Sequence, residues 1–179
     1  MRPRGAAPAG PAALALFAAA SIAGCGYALV GTGKGSLPED VKTVWVPTFV
    51  NDTQIVSLEQ RLTSAVIREF AARGRLKPAA SLEAADSVLN GRLTSFSLQP
   101  VRFDTEGRAV EYQIAVMARL QLVDRKTEKT LFEESGFLVR QPYNIPLTSG
   151  SYFNPETAAV EVLTLPFART LVTTILEGF

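Results

Sequence analysis

The segment VEYQIAVMARLQL, residues 110–122, decides the fold of this chain. Apolar and mostly polar side chains alternate along its whole length, as they do in a β-strand with one face against a core and the other against water. The apolar positions are Val110, Tyr112, Ile114, Val116, Ala118, Leu120 and Leu122. The positions between them are Glu111, Gln113, Ala115, Met117, Arg119 and Gln121. This alternation predicts an antiparallel sheet that is covered on one side and left to water or a partner on the other.

Turn signals on both sides of this strand predict a three-strand meander. The sequences DTEG at 104–107 and DRKTEK at 124–129 are rich in residues that favour turns. The neighbouring strands are therefore predicted at 88–102 and 131–141.

Each neighbouring strand contains one irregular position. Leu93 and Phe96 lie on opposite apolar phases of the first of them. This change of phase predicts a bulge or a strong bend near residues 94–96, since a bulge adds one residue to a strand. Gly136, in the middle of the other strand, predicts a second bulge.

A further strand precedes the meander. The segment VKTVWVPTF at 41–49 alternates in the same way, and Pro47 should end its regular ladder. Residues 76–82 are irregular and have room for one short strand.

A helix is predicted between this first strand and the meander. It ends near Arg73, because Gly74 suits the left-handed conformation that follows a helix. Two starts are possible for this helix. It begins either after the turn residues 51–53 or at a capping box formed by Ser57 and Gln60. The apolar face at helical spacing consists of Leu58, Leu62, Ala65, Val66 and Phe70. The polar face is mixed in sign, which favours packing on a sheet over binding to a membrane.

A second helix is predicted after the meander. Residues 142–151, PYNIPLTSGS, contain two prolines and predict a loop. Asn154 suits the N-cap, and Pro155 the first turn, of a helix that ends near Leu176. Pro166 lies inside this helix and predicts a kink or a split. The apolar stripe across that position consists of Val160, Leu163, Phe167, Leu171 and Ile175.

The order strand, helix, three-strand meander, helix predicts a single α+β domain over residues 41–179. Amphipathic helices and a one-sided sheet each bury one face, and the natural solution packs them together. The expected architecture is a two-layer sandwich, with two helices packed on one face of a mostly antiparallel four-strand sheet.

Residues 1–24 have the pattern of a secretory signal peptide. Arg2 and Arg4 precede an uncharged apolar run at 12–23, and small residues lead to Cys25. The apolar run is too short for a transmembrane helix, which needs about 20 residues. Cys25 is then either a lipidation site at the point of cleavage or an ordinary buried cysteine behind a signal peptide.

The composition excludes several classes of site. The chain has no histidine and one cysteine, which removes Ser-His-Asp and Cys-His nucleophiles, the common zinc sites and disulfides. Without Arg2 and Arg4, the 18 basic residues become 16 against 17 acidic ones, which is too few for a nucleic-acid-binding protein. Glu133 and Glu134 are candidates for a carboxylate enzyme, but adjacent strand residues point to opposite faces. We therefore expect no enzyme, cofactor, metal site or nucleic-acid partner.

The segment Ile22–Cys25 resembles the lipobox of bacterial lipoproteins. In that family the cysteine thiol receives a diacylglycerol, the preceding peptide bond is cut, and the new amino terminus is acylated, for example with palmitate. The resemblance implies that Cys25 is lipidated and that residues 25–40 form a lipidated tether, held firmly by two or three acyl chains. In enterobacterial lipoproteins, an aspartate directly after the cysteine keeps the protein at the inner membrane. Gly26 at that position therefore implies transport to the outer membrane.

A second resemblance extends from Cys25 to about Val123. The residues that carry it are Cys25-Gly26-Tyr27, Leu37-Pro38, Lys42-Thr43-Val44-Trp45-Val46-Pro47, Leu58-Glu59, Leu62-Thr63, Glu69-Phe70 and Glu111-Tyr112-Gln113. Together they resemble the LptE-type lipopolysaccharide-assembly lipoproteins, whose fold is an α/β sandwich of the kind derived above.

The resemblance implies a partner and a ligand. Members of the family sit as a plug inside the LptD-type outer-membrane β-barrel, help it assemble and assist lipopolysaccharide insertion into the outer leaflet. Some bind lipopolysaccharide through basic side chains near the hairpin before the Glu-Tyr-Gln segment, which here carries Arg102 and Arg108. A guanidinium can bind a phosphate through two hydrogen bonds. The alternative is that both arginines are solvated and paired with the nearby acids Asp104 and Glu106.

The sequence is also compatible with a second class of binding protein. An auxiliary lipoprotein of another envelope transport system, without a barrel partner, would show the same lipidation signal, a compact α/β domain and no catalytic set. The pattern from Cys25 to Pro47 favours the barrel plug.

Overall fold

The predicted meander forms the largest part of the sheet in the computed structural model, which describes residues 37–144 and 155–178. In chain order the strands are β1 (Thr43–Trp45), β2 (Val50–Asn51), β3 (Lys77–Pro78), β4 (Ser87–Phe103), β5 (Ala109–Asp124) and β6 (Thr130–Asn144). The helices are α1 (Leu58–Arg73), between β2 and β3, and α2 (Pro155–Glu177), after β6. The predicted α+β fold with two helices is confirmed.

The sheet has six strands in the described residues, so the predicted number of four is wrong. Its order is β3-β1-β4-β5-β6, and β2 also pairs with β4. β4, β5 and β6 pair antiparallel, as a meander requires, whereas β1, β2 and β3 form parallel pairs. β2 and β3 have only 2 residues each, and no periodicity is visible in so short a segment.

The strand predicted at 41–49 is interrupted. β1 pairs with β4 at residues 87–88, and β2 pairs with the same strand again at 92–93. Residues 46–49 lie between the two paired segments. They include Pro47, which has no backbone N–H to give to the ladder, so the interruption falls where the sequence predicts an end.

The interruption brings Phe49 over Gly91 of β4. Phe49 is 2% exposed, and its backbone N–H donates to the Thr63 hydroxyl of α1 at 3.0 Å. A Cβ atom on Gly91 would lie 2.5 Å from Cδ1 of the Phe49 ring. Only glycine fits under the ring, because it alone has no Cβ.

Both predicted bulges are confirmed. The register of β4 on β5 shifts between Leu93 and Ser95. In β6 the register on β5 shifts between Glu134 and Phe137, around Gly136. The Glu134 carboxylate accepts a hydrogen bond from the Gly136 N–H at 2.9 Å, so a side chain satisfies an amide inside this bulge.

The two helices cover one face of the sheet. α1 packs against α2, and α2 packs against β6. The predicted apolar faces are buried except at Val110 and Tyr112 of β5, which are half-buried: Leu58, Leu62, Ala65, Val66 and Phe70 of α1, Ile114, Val116, Ala118, Leu120 and Leu122 of β5, and Val160, Leu163, Phe167, Leu171 and Ile175 of α2. Phe167 meets Phe137 of β6 edge to face, with ring centroids 5.4 Å apart and planes at 87°. Aromatic rings prefer this geometry because the positive edge of one faces the negative face of the other.

α2 is long and apolar enough to cross a membrane by length and composition alone. Half of its most apolar window is buried inside the domain, however, so we interpret it as a core helix. It is continuous through Pro166, and a split there does not occur. The Thr164 hydroxyl donates to the Val160 carbonyl at 2.6 Å one turn before the proline.

α1 begins without the predicted side-chain cap. Ser57 has a left-handed φ of 62° and makes no side-chain cap hydrogen bond in the described residues, so the capping box with Gln60 is wrong. Asn51 organises the preceding loop instead, and its Nδ2 donates to Glu59 Oε2 at 2.7 Å. The helix ends as predicted at Gly74, which has a φ of 73°.

The predicted loop at 142–151 begins later than expected. β6 includes Pro142 and continues to Asn144. It is an edge strand, where a proline is tolerated because its missing N–H faces away from the ladder. The predicted N-cap, Asn154, lies among residues 145–154, outside the described residues.

Candidate functional site

The two arginines singled out from the sequence lie on one hairpin. Arg102 is near the end of β4, and Arg108 immediately precedes β5. Asp104 closes the turn: its Oδ1 accepts from the Glu106 and Arg108 N–H groups, both at 2.9 Å. Gly107 has a φ of 78°, which glycine adopts without strain. The arginines therefore flank a turn that is fixed by its own hydrogen bonds.

Each of these arginines is paired with a carboxylate of the same hairpin. Arg102 Nε lies 2.9 Å from Glu111 Oε2. Arg108 lies 2.8 Å from both Asp104 Oδ2 and Glu106 Oε2. Hydrogen bonds from the Arg108 backbone, and then from its side chain, lower the pKa of Asp104 and favour its charged form. Two arginines stand against three carboxylates, so the hairpin tip has no positive surplus of its own.

Exposure keeps both guanidinium groups within reach of a ligand. The side chains of Arg102 and Arg108 are 61% and 64% exposed. Surface ion pairs contribute about 0–1 kcal/mol, so a phosphate can replace a carboxylate at small free-energy cost. Val101 and Phe103 are also exposed beside Arg102. The tip therefore presents two cations next to two apolar side chains, a combination that suits an anionic lipid.

A surface with several arginines lies on the side of the sheet that the helices leave open, which we call the helix-free face. Residues directly opposite each other in a ladder share a face, and alternation along each strand assigns the rest. The face consists of Val88, Asn90, Arg92, Ser95, Ser97, Gln99 and Arg102 of β4, Glu111, Gln113, Ala115, Met117, Arg119, Gln121 and Val123 of β5, and Thr130, Glu133, Leu138, Arg140, Pro142 and Asn144 of β6. Arginine is therefore its most frequent charged residue.

Three arginines of this face differ in their partners. Arg92 Nη1 donates to both carboxylate oxygens of Asp52, at 2.8 and 3.1 Å. Arg119 lies directly opposite Arg92 in the ladder. Within the described part of the chain, the exposed side chains of Arg119 and Arg140 have no ion pair or hydrogen bond. Alternation in the sequence identifies Arg119, but it misplaces Arg140 when counted from the start of β6, because the bulge at Gly136 resets the phase of that strand.

A shallow depression of about 320 Å³ opens on the helix-free face. Arg92 and Arg119 line it together with Asn90, Gln121 and Glu133. Polar side chains from three neighbouring strands thus converge around the two opposed arginines.

The two carboxylates considered for catalysis line the same depression but have different surroundings. Glu133 faces Gln121 on the helix-free face, whereas the Glu134 carboxylate binds the Gly136 N–H. Among the described residues, no group of three His, Cys, Asp or Glu side chains could hold a metal ion. Cys25 and residues 25–36 of the predicted tether lie outside the described residues.

A family model described as LptE, lipopolysaccharide-assembly, matches residues 41–175. The matched span runs from just before β1 into the last turn of α2. No curated protein matches the chain in sequence.

Several solved structures resemble the chain at low sequence identity. The PelC dodecamer from Paraburkholderia phytofirmans is 16% identical, with a TM-score of 0.44 over 82% of this chain and 96% of that chain. Lipoprotein GNA1162 from Neisseria meningitidis is 13% identical, with a TM-score of 0.41 over 74% of this chain and 99% of that one. A minor lipoprotein from Acinetobacter baumannii is 12% identical, with a TM-score of 0.47 over 76% of this chain and 93% of its own. Nothing about function follows from similarities at this level.

Proposed function

The chain belongs to the LptE lipopolysaccharide-assembly family, and we propose that it is a lipid-anchored plug for an LptD-type outer-membrane β-barrel. In this role it helps the barrel assemble and assists the insertion of lipopolysaccharide into the outer leaflet. The observation that carries the proposal is the family match, which covers residues 41–175 and thus every described strand, all of α1 and α2 up to Ile175. The family is non-enzymatic, so the role is one of binding and positioning.

The anchor is part of the proposal. We propose that Cys25 is lipidated and holds the mature chain on the periplasmic side of the outer membrane, with the domain at or within the barrel. Residues 26–36 separate this cysteine from the described domain. An extended chain spans about 3.3–3.6 Å per residue, so the domain stays within about 40 Å of its anchor. The tether therefore limits the search for a partner to proteins in or close to the same membrane.

The proposal includes a lipid contact at the hairpin tip. Arg102 and Arg108 are exposed, and their ion pairs with surface carboxylates are of the weak kind. A phosphate that accepts two hydrogen bonds from a guanidinium competes well with a single carboxylate oxygen. The exposed side chains of Val101 and Phe103 offer acyl chains an apolar contact at the same place.

A native pull-down tests the plug. The full chain is tagged after its last residue, the outer membranes are extracted in mild detergent, and the proteins that co-purify are identified by mass spectrometry. We expect a large β-barrel in near-equal amount. Recovery of the lipoprotein alone, or with inner-membrane transport subunits, would contradict the proposal and favour an auxiliary lipoprotein of another transport system.

A further inference from the structure

The two arginines of the hairpin tip use their guanidinium groups in different ways. Arg102 donates one hydrogen bond, from Nε to Glu111 Oε2 at 2.9 Å. Its two terminal nitrogens, Nη1 and Nη2, make no hydrogen bond within the described residues. Arg108 is occupied twice, because Nε donates to Asp104 Oδ2 and Nη1 lies 2.8 Å from Glu106 Oε2. Of the two arginines, Arg102 alone therefore has a complete edge of its guanidinium group free for a ligand.

This free edge has the geometry that a phosphate requires. A guanidinium group is planar, and its two terminal nitrogens can donate parallel hydrogen bonds to two oxygens of one phosphate. A phosphate can bind Arg102 in this way without displacing Glu111, whereas at the other arginine the same contact must first displace a carboxylate. Val101 and Phe103, the exposed apolar residues of the tip, are the chain neighbours of Arg102. The acyl part of the same ligand therefore has apolar surface next to the bound phosphate.

Glu111 is placed to restrain this arginine. It lies directly opposite Arg102 in the ladder of β4 and β5, and the register shifts on both sides of the pair. Such irregularities re-aim side chains, and here they leave Arg102 and Glu111 paired on the same face of the sheet. The Glu111 side chain is 28% exposed, against 61% for Arg102. The better-buried carboxylate therefore holds the more exposed guanidinium group, and it does so through Nε, the atom opposite the free edge.

Glu111 has two opposite effects on a phosphate bound at this edge. Its negative charge repels the phosphate, but salt screens exposed charges, with a Debye length of about 8 Å at physiological ionic strength. Its hydrogen bond restricts a long side chain before the ligand arrives, and the ordering of such side chains is one of the costs of binding. The hydrogen bond is a direct contact at 2.9 Å, whereas the phosphate lies on the opposite edge of the guanidinium group. We therefore expect the positioning effect to outweigh the repulsion at physiological salt.

We propose that Glu111 is a positioning residue of the lipid site. It holds Arg102 by Nε, and the free Nη1 and Nη2 atoms bind a phosphate of the lipopolysaccharide through two hydrogen bonds. The inference rests on the lipid contact proposed above and gives the three carboxylates of the hairpin different roles. Glu111 supports lipid binding, Glu106 competes with the lipid, and Asp104 fixes the turn.

Two neutralising substitutions in the same hairpin separate positioning from repulsion. Glu111→Gln and its matched control Glu106→Gln each remove one negative charge from beside an arginine. The full chain is extracted in mild detergent with any bound partner, and lipopolysaccharide is titrated into it at about 0.15 M salt. We expect Glu111→Gln to bind about threefold more weakly than wild type, because Arg102 is no longer held before the lipid arrives. The control should bind no more weakly than wild type, because it removes a competitor and leaves Arg102 in place.

A double-mutant cycle separates the inference from the lipid contact on which it rests. Arg102→Gln alone should weaken binding by about fivefold, and Glu111→Gln should add nothing in that background, because its role requires the arginine. The inference is overturned, and the lipid contact stands, if Arg102→Gln weakens binding while Glu111→Gln does not, or if Glu111→Gln causes the same loss with and without the arginine. Wild-type binding by Arg102→Gln would overturn both, and the pull-down would still decide the plug function.

Lipopolysaccharide from which the phosphates have been removed is the matched ligand control. It should bind wild type and Glu111→Gln equally, because the free edge of Arg102 then has no phosphate to bind. A difference that persists with this ligand would assign Glu111 to another part of the lipid or to the stability of the hairpin, and would overturn the inference. If Glu111→Gln fails to accumulate, Glu111→Asp replaces it, with a smaller expected loss because the shorter side chain holds Nε less firmly.

Discussion

Thr43 and Asp86 hold each other through two reciprocal hydrogen bonds. The Thr43 hydroxyl donates to Asp86 Oδ2 and accepts from the Asp86 N–H, both at 2.9 Å. The same carboxylate oxygen accepts from the Lys42 and Thr43 N–H groups at 3.1 Å. These bonds fix β1 against the residue before β4, at the point where their parallel pairing starts. Hydrogen bonds from Thr43 and Lys42 lower the pKa of Asp86.

We expect Asp86→Asn to lower the free energy of unfolding at neutral pH by about 2 kcal/mol, because hydrogen bonds to a charged group contribute about 1.5–3 kcal/mol. The wild-type carboxylate has a lowered pKa, so its stabilisation is complete above the unfolded pKa of about 3.9 and is lost as the pH falls through the lower folded pKa. The difference between the two proteins should therefore shrink in acid. Urea unfolding at a series of pH values measures it, and a difference that stays constant below pH 4 would contradict the explanation.

We expect Gly91→Ala to destabilise the protein by about 1–3 kcal/mol, because the new Cβ would overlap the Phe49 ring. The matched control is Gly136→Ala, where the nearest atom to a Cβ is Glu134 Oε1 at 3.7 Å. Thermal unfolding compares the two variants. A Phe49→Leu change should recover part of the loss in Gly91→Ala, and no recovery would mean that the ring is not the obstacle.

Neutralising the hairpin tip should affect the lipid and not the barrel. We expect Arg102→Gln with Arg108→Gln to lower the lipopolysaccharide recovered with the complex by about tenfold, which corresponds to about 1.4 kcal/mol for two charge-assisted contacts. Barrel recovery should stay at the wild-type level. The control Arg68→Gln removes an exposed charge from α1. Unchanged lipopolysaccharide would leave both arginines as solvated residues paired only with their neighbouring acids.

Removing the predicted anchor should release the protein from the membrane. We expect Cys25→Ser to move the chain from the outer-membrane fraction to the soluble periplasmic fraction, since two or three acyl chains supply the attachment. Fractionation and intact mass measurement check both position and lipid content. A membrane-bound Cys25→Ser protein without added lipid mass would show that another part of the chain holds it there.

Elements with a long local repeat could be predicted from the sequence. The alternation in β5 and the apolar stripes of both helices each extend over many residues, so most core positions follow from spacing, and the turn residues and Gly136 add the meander and the second bulge. β2 and β3 could not be predicted in this way, because 2 residues carry no period. Their pairing depends on where the rest of the chain places them.

Contacts between distant residues escape local patterns as well. The Thr43–Asp86 and Asp52–Arg92 contacts join residues 43 and 40 positions apart. The capping box predicted at Ser57 does not form, and a contact between separated residues takes its place. Asn51 donates a hydrogen bond to Glu59, eight positions away, and this bond holds the loop before the helix. The hairpin arginines were placed correctly by their turn, but the partner of Arg102 is Glu111 across the ladder rather than an acid of the turn.

The irregular course of β6 has a consequence for the protein before it meets any partner. β6 is the last strand in the order of the sheet, and its 15 residues form an edge without a neighbouring strand in the described residues. An open edge of that length is a template on which a second chain can add a strand and start aggregation. The bulge at Gly136 disturbs the spacing of the template, Pro142 removes one donor, and the charges of Glu133 and Arg140 keep the edge hydrated. The bulge at Gly136, which shapes the face of the sheet, thus also disfavours pairing between the β6 edges of two molecules that have not yet bound a partner.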